Sequence, residues 1–124
     1  MDHICLTFPV LAGQAEAARS FIGELEDSQR DAYAESERRI GIEKELWFIS
    51  DLGEQELLVA YMESGDFARA FEQFVASREP FDLWFKEQFG NVTGLDLNDP
   101  PELQLPELVS HYDAAARIGG MAQA

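Results

Sequence analysis

Apolar and polar positions alternate near the start of the chain, with Ile4, Leu6, Phe8 and Val10 set between His3, Cys5, Thr7 and Pro9. A two-residue period predicts a strand with one covered face. From Gly13 to Arg39 the period lengthens to that of a helix. Ala18, Phe21, Ile22, Leu25, Gln29, Ala32, Tyr33, Ser36 and Ile40 fall on one stripe, and Gly41 is a natural stop. EKELWFIS and ELLVAYMES then read as two strands, joined by DLGEQ as a hairpin loop. DFARAFEQFVAS carries Phe67, Ala70, Phe71, Phe74 and Val75 at helical spacing. In PFDLWFKEQFG, Pro80 suits the first helical position and Gly90 the position past the end. NVTGLDL is expected to form a last short strand. Residues 1–98 read as one domain and 99–124 as a Pro-rich, then small and polar, tail.

Strand, helix, two strands, helix pair and strand make the βαββαβ plan of an α+β, ferredoxin-like fold. Right-handed crossovers put the helices on one face of a four-stranded antiparallel sheet. The other face then needs a cover. In LWFIS and LLVAYM both alternate sets are apolar, whereas a sheet with one wet face alternates apolar with polar. The expected cover is a second copy packed sheet to sheet, a homodimer. The alternative cover is the tail, through LQLPELV.

Helix length raises a second point. A seven-residue strand spans about 24 Å, but a continuous helix over residues 13–39 would span about 40 Å. The excess matches RDAYAESERR. This segment either overhangs the sheet or breaks away near Ser28, where Asp27-Ser28 ahead of Asp31 resembles a helix cap. Gln29, Tyr33 and Ser36 fall on the inward stripe here, and inward polar groups need partners. The segment is therefore read as the rim of a pocket.

Composition narrows the possible partners. Across 124 residues, 24 acids against 9 Lys plus Arg give a net charge of −15. That surface repels phosphate backbones and anionic lipid, so no nucleic-acid or membrane partner is expected. Cys5 is the single cysteine, which rules out an intrachain disulfide and suits a reducing cytoplasm. The first residues lack a basic leader, and no apolar run approaches a membrane span. The expected location is cytoplasmic.

Candidate chemistry is sparse. Arg30, Arg38, Arg39 and Lys44 cluster near the helix end, but Asp31, Glu35, Glu37 and Glu43 cancel them. His3 and Cys5 share a strand face, and two ligands do not make a metal site. His111 lies in the tail. Neither metal nor cofactor is expected. No Ser-His-Asp set, phosphate loop or HExxH helix is present. Asp82 reads first as an acid favoured at a helix start. The pocket candidates are Gln29, Tyr33, Ser36, Trp47, Tyr61 and Trp84. Trp47 and Tyr61 lie on adjacent strands, and Trp84 belongs to an aromatic cluster.

PVLAGQAEAARSF, RDAYAESERRIGI, ELWFIS, LLVAYMES with DFARAFEQFVAS, and PFDLWFKEQFG together resemble the dimeric α/β-barrel superfamily. Within it, they resemble a small bacterial family without an assigned function. The resemblance covers roughly residues 8 to 97. It implies the fold and the homodimer. Its superfamily relatives include cofactor-independent quinone-forming monooxygenases, haem-degrading monooxygenases and polyketide cyclases. Fold alone does not select among these. The leading expectation is a protein that binds a small apolar or aromatic molecule, with no established reaction. A second is a cofactor-independent monooxygenase or cyclase acting on an aromatic or polyketide-like substrate, with Tyr61, Tyr33 and Trp47 orienting it. A third is an interaction module that docks through PPELQLPELVSHY.

Overall fold

A computed structural model describes residues 1–115. The elements are β1 (Asp2–Pro9), α1 (Ala15–Glu24), α2 (Arg30–Ile40), β2 (Ile42–Asp51), β3 (Glu56–Ser64), α3 (Phe67–Ala76) and α4 (Pro80–Thr93). The strands form an antiparallel sheet in the order β1-β3-β2. β3 is central. Its Leu58, Ala60, Met62 and Ser64 are buried beneath the helices. Leu6 and Phe8 of β1 join them, and so do Phe21 and Leu25 of α1 and Phe85, Phe89 and Val92 of α4. Burying one such aromatic contributes about 2–3 kcal/mol, so this layer carries most of the stability.

The long helical segment is two helices. After α1 the chain turns through residues 25–29, with Gln29 N bonded to Glu24 O at 2.9 Å. Leu25 stays 2% exposed in the core, so the chain changes direction just after its last apolar anchor. α2 then packs on α3, α4 and β2. Gly41 at φ 92° ends it in the left-handed region, and β2 begins at the next residue. A bulge follows. Ile42 pairs with Ser64 and Lys44 with Glu63, leaving Glu43 as the extra residue. The bulge lets both Ile42 and Glu45 point toward the helices.

The expected fourth strand is absent among the described residues. Asn91–Thr93 continue α4, because Val92 follows Phe85 and Phe89 at helical spacing into the core. Thr93 Oγ1 caps Phe89 O at 2.7 Å. Leu95–Leu97 are too few to add a ladder, and Asp96 starts a turn that closes at Asp99. Pro100 and Pro101, next in sequence, have no N–H to donate. From Asn98 to Asp113 the chain has no regular element, though ring contact brings His111 to 5.3 Å from His3. Among the described residues the outer edge of β1 has no ladder partner.

Among the described residues no helix packs on the second face of the sheet, which the tail meets at His3 through His111. Register aligns Leu46, Tyr61 and Cys5 in one row and Phe48, Val59 and Thr7 in the next. Leu46 is 47% exposed and Phe48 55%.

Candidate functional site

Between the inner sheet face and the helices lies a cavity of about 70 Å³. Its walls are almost wholly apolar, with Leu6 and Phe8 from the sheet and Phe71, Phe74, Phe81 and Phe85 from α3 and α4. Leu97 and Leu103, beyond α4, also reach it. Polar groups enter only through Tyr33 and Glu37 of α2 and Glu45 and Trp47 of β2. Tyr33 and Glu37 are one turn apart and share a helix face. Glu45 and Trp47 share the inward phase of β2.

These four side chains touch. The Tyr33 hydroxyl donates to Glu45 Oε2, and Trp47 Nε1–H donates to the same oxygen at 2.9 Å. Glu37 Oε2 is buried and no donor of the chain reaches it, while the Glu37 carboxyl itself lies in hydrogen-bonding contact with that of Glu45. Burial pushes the Glu37 carboxyl up to about 10, and the neighbouring Glu45 and then Asp82 add to the rise. Burial also raises Glu45, against the opposing pull of the hydrogen bonds from Tyr33 and Trp47. Two carboxyl groups side by side away from water do not both ionise, so near neutral pH the pair retains a proton. Tyr33 is pushed far up as well, first by burial and then by Glu45 and Glu37. The cluster can hold a proton, donate it, or take one back beside an apolar chamber.

A second buried carboxylate is fully occupied. Asp82, 0% exposed, accepts from Ser36 Oγ, from Ser77 Oγ, and from both Arg39 Nη1 and Nη2 at 2.9 Å. It ties α2 to the start of α4. Its role exceeds that of a helix-start acid, and every bonded partner is internal. Lys86, 2% exposed, donates from Nζ to the Phe74, Val75 and Ser77 carbonyls, each at 3.0 Å. These carbonyls lie at the C-terminal end of α3, where helical N–H donors run out; Phe74 O also accepts from Ser77 N at 3.2 Å. Burial lowers the Lys86 pKa.

The six sequence candidates separate. Tyr33 and Trp47 line the cavity. Ser36 lies beneath it, spent on Asp82. Gln29 occupies the position before α2 without a side-chain capping hydrogen bond, and it does not line the cavity. Trp84 packs on Phe21 and Phe81 outside it. Tyr61 is on the opposite face, because β3 turns Ala60 and Met62 inward. There Tyr61 donates to Glu63 Oε2 at 2.8 Å, and His3 Nδ1 lies 2.9 Å from its oxygen. Sequence reasoning missed Glu37 and Glu45. The signals were present: Glu37 is one turn beyond Tyr33, and Glu45 is in phase with Trp47.

The arginine-rich helix end forms an open depression of about 580 Å³ with Arg38, Arg39 and Arg69 at its wall. Arg38 pairs with Glu35 and Arg39 with Asp82, so most of its charge is already matched. No group of three His, Cys, Asp or Glu side chains suited to a metal occurs among the described residues. Among the same residues no helix is long and apolar enough to cross a membrane.

Helices on one face of an antiparallel sheet and a chamber between the layers define a ferredoxin-like α+β fold. Two solved structures agree on the fold. Tetracenomycin F2 cyclase from Streptomyces glaucescens, a type-II polyketide cyclase, matches with a TM-score of 0.57 and 16% identity over 92% of this chain and 99% of its own. L-rhamnose mutarotase from Formosa agariphila matches with a TM-score of 0.58 and 14% identity over 91% and 100%. The chain belongs to a family of unknown function (DUF6176), which matches residues 1–113. No curated protein matches it.

Proposed function

We propose that this protein binds a small molecule in the chamber between sheet and helices, and that Tyr33, Glu37 and Glu45 form its polar, proton-exchanging end. One observation carries the reading: Glu37 Oε2 is buried with no donor of the chain on it, at the polar end of an apolar cavity. Buried polar atoms are nearly always bonded. A ligand, or a proton shared with Glu45, supplies what the chain does not. The functional unit is a cytoplasmic homodimer, joined through the second sheet face, on which Leu46 and Phe48 are exposed. The tail begins at residue 99 and supplies Leu103 to the chamber wall; residues 116–124 of it lie outside the described residues.

Size favours binding of a compact molecule. Pockets for drug-sized ligands run to about 300–1,000 Å³; this chamber is about 70 Å³. The polyketide cyclase neighbour keeps a second reading in view, cyclisation or oxygenation of an aromatic substrate. That reading requires the chamber to widen, and Leu103 at its wall belongs to the stretch after α4 that has no regular element. An interaction role for the tail rests on Leu105, Leu108 and Val109, all exposed.

Trp47 reports on occupancy. Fragment titration followed by the Trp47 indole N–H resonance is expected to show saturable shifts. Ala70→Leu, which fills the chamber from α3, is expected to abolish them while the spectrum stays folded. Shifts that persist in Ala70→Leu place the ligand elsewhere and end the reading.

A further inference from the structure

The chamber's charge selects its ligand. Among the described residues, its wall includes no Lys, Arg or His. Its polar groups are two carboxyls, a phenol and an indole N–H. Arg39, two residues beyond Glu37, is held by both its terminal nitrogens on Asp82. An anion placed here would face Glu37 and Glu45 with no partner. The whole chain adds to that repulsion with a net charge of −15. Around the rest of the wall stand Phe71, Phe74, Phe81 and Phe85 with Trp47, and aromatic faces attract cations most strongly when water is excluded.

We propose that the occupant is a small organic cation, a compact primary amine in its ammonium form, with its N–H groups accepted by Glu37 and Glu45 and its carbon body among the phenylalanine rings. The proposal rests on the chamber being a ligand site and names the chemistry of that ligand. Glu37 Oε2, buried with no donor of the chain on it, is the acceptor such a donor completes. Glu45 Oε2 already accepts from Tyr33 and Trp47, which fixes the Glu45 carboxyl in place. The volume limits the carbon body. A cavity of about 150 Å³ takes benzene, and this one is about 70 Å³, so the ligand carries a short alkyl chain rather than a ring system.

Proton linkage gives the proposal its signature. The groups facing Glu37 are Glu45 from β2, Tyr33 from its own helix, and Asp82 from α4, the last already paired with Arg39. The carboxyl pair holds a proton when empty and releases it when an ammonium arrives. Affinity for the amine then rises with pH, about tenfold per unit for one proton released, until the amine itself loses its proton near that of a lysine, about 10.4.

The test is calorimetric titration of the full chain with ethylammonium, ethanol and acetate at pH 6, 7 and 8, in two buffers of different ionisation heat. The expected result is ethylammonium binding with release of one proton, about tenfold tighter at each higher pH step. Alcohol and carboxylate are expected to bind at least tenfold more weakly at pH 8. Glu37→Gln is expected to lose the amine preference and the proton release, so that amine and alcohol bind alike. If ethanol binds the wild type as tightly as the amine, or the amine binds without releasing a proton, the cation inference is overturned and the chamber still stands as a ligand site. If none of the three binds and the Trp47 indole resonance never moves, the ligand-site reading falls with it.

Discussion

The hydroxyl of Tyr33 on α2 hydrogen-bonds Glu45 Oε2 on β2, across the polar end of the chamber. The bond joins helix to sheet at the point where two elements adjacent in sequence reverse direction. Tyr33→Phe removes the donor and keeps the ring that packs on Phe81. The expected cost is about 1–3 kcal/mol, measured by urea unfolding near neutral pH. Glu45 also loses one of the hydrogen bonds that oppose its rise, so its carboxyl titrates still higher, visible in a pH series of carboxyl NMR shifts. Unchanged stability would mean that the bond is not maintained in solution.

Glu37 makes stability depend on pH in an unusual direction. Its ordinary value is 4.5 and the folded value about 10. Below 4.5 both folded and unfolded chains hold the proton. Between 4.5 and 10 the unfolded chain has released a proton that the folded chain keeps, so stability falls as pH rises through this window. Glu37→Gln removes that slope. Its melting temperature is expected to match wild type near pH 4 and to exceed it by a growing margin toward pH 9. A constant gap across the series would show that Glu37 ionises normally.

Asp82 is the opposite case, a buried carboxylate with all its partners in place. Asp82→Ala strands Arg39, Ser36 and Ser77 together. Breaking a buried ion pair from one side costs about 3–5 kcal/mol, and denaturant unfolding is expected to show it. Arg38→Ala serves as the control: its pairing with Glu35 is at the surface, and surface pairs contribute about 0–1 kcal/mol.

Lys86 caps α3 from α4. Lys86→Met keeps the stem and removes the three donors. At least about 2 kcal/mol is expected to be lost, and amide exchange at Val75–Ser77 is expected to speed up before that of β3. Exchange that accelerates uniformly would assign Lys86 to general packing instead.

Phe48→Glu tests the homodimer. A charge placed at the middle of the second face opposes sheet-to-sheet packing but touches nothing in the chamber. Sedimentation is expected to show a dimer for the wild type and a monomer for Phe48→Glu, with the fold retained. A wild-type monomer at micromolar concentration would reject the assembly.

Local periodicity determined the elements. The alternation in β1, the hairpin of β2 and β3, and the two amphipathic helices α3 and α4 follow from residues close in sequence, which is why they were legible. Even the excess length of the first helical stripe was visible, though the break at residues 25–29 was left open. What the tertiary structure decided was phase and company. β3 is apolar at Leu57, Val59 and Tyr61 as well as at Leu58, Ala60 and Met62; only helix packing chose the second set, and Tyr61 went to the opposite face. NVTGLDL looks like a strand until Val92 finds the same core as Phe85 and Phe89. Glu37 and Glu45 read as solvated charges because each has charged neighbours in sequence. Gly41 and the bulge at Glu43 bring them together, and burial beside one another, which no local pattern encodes, turns two ordinary surface acids into the polar end of a cavity.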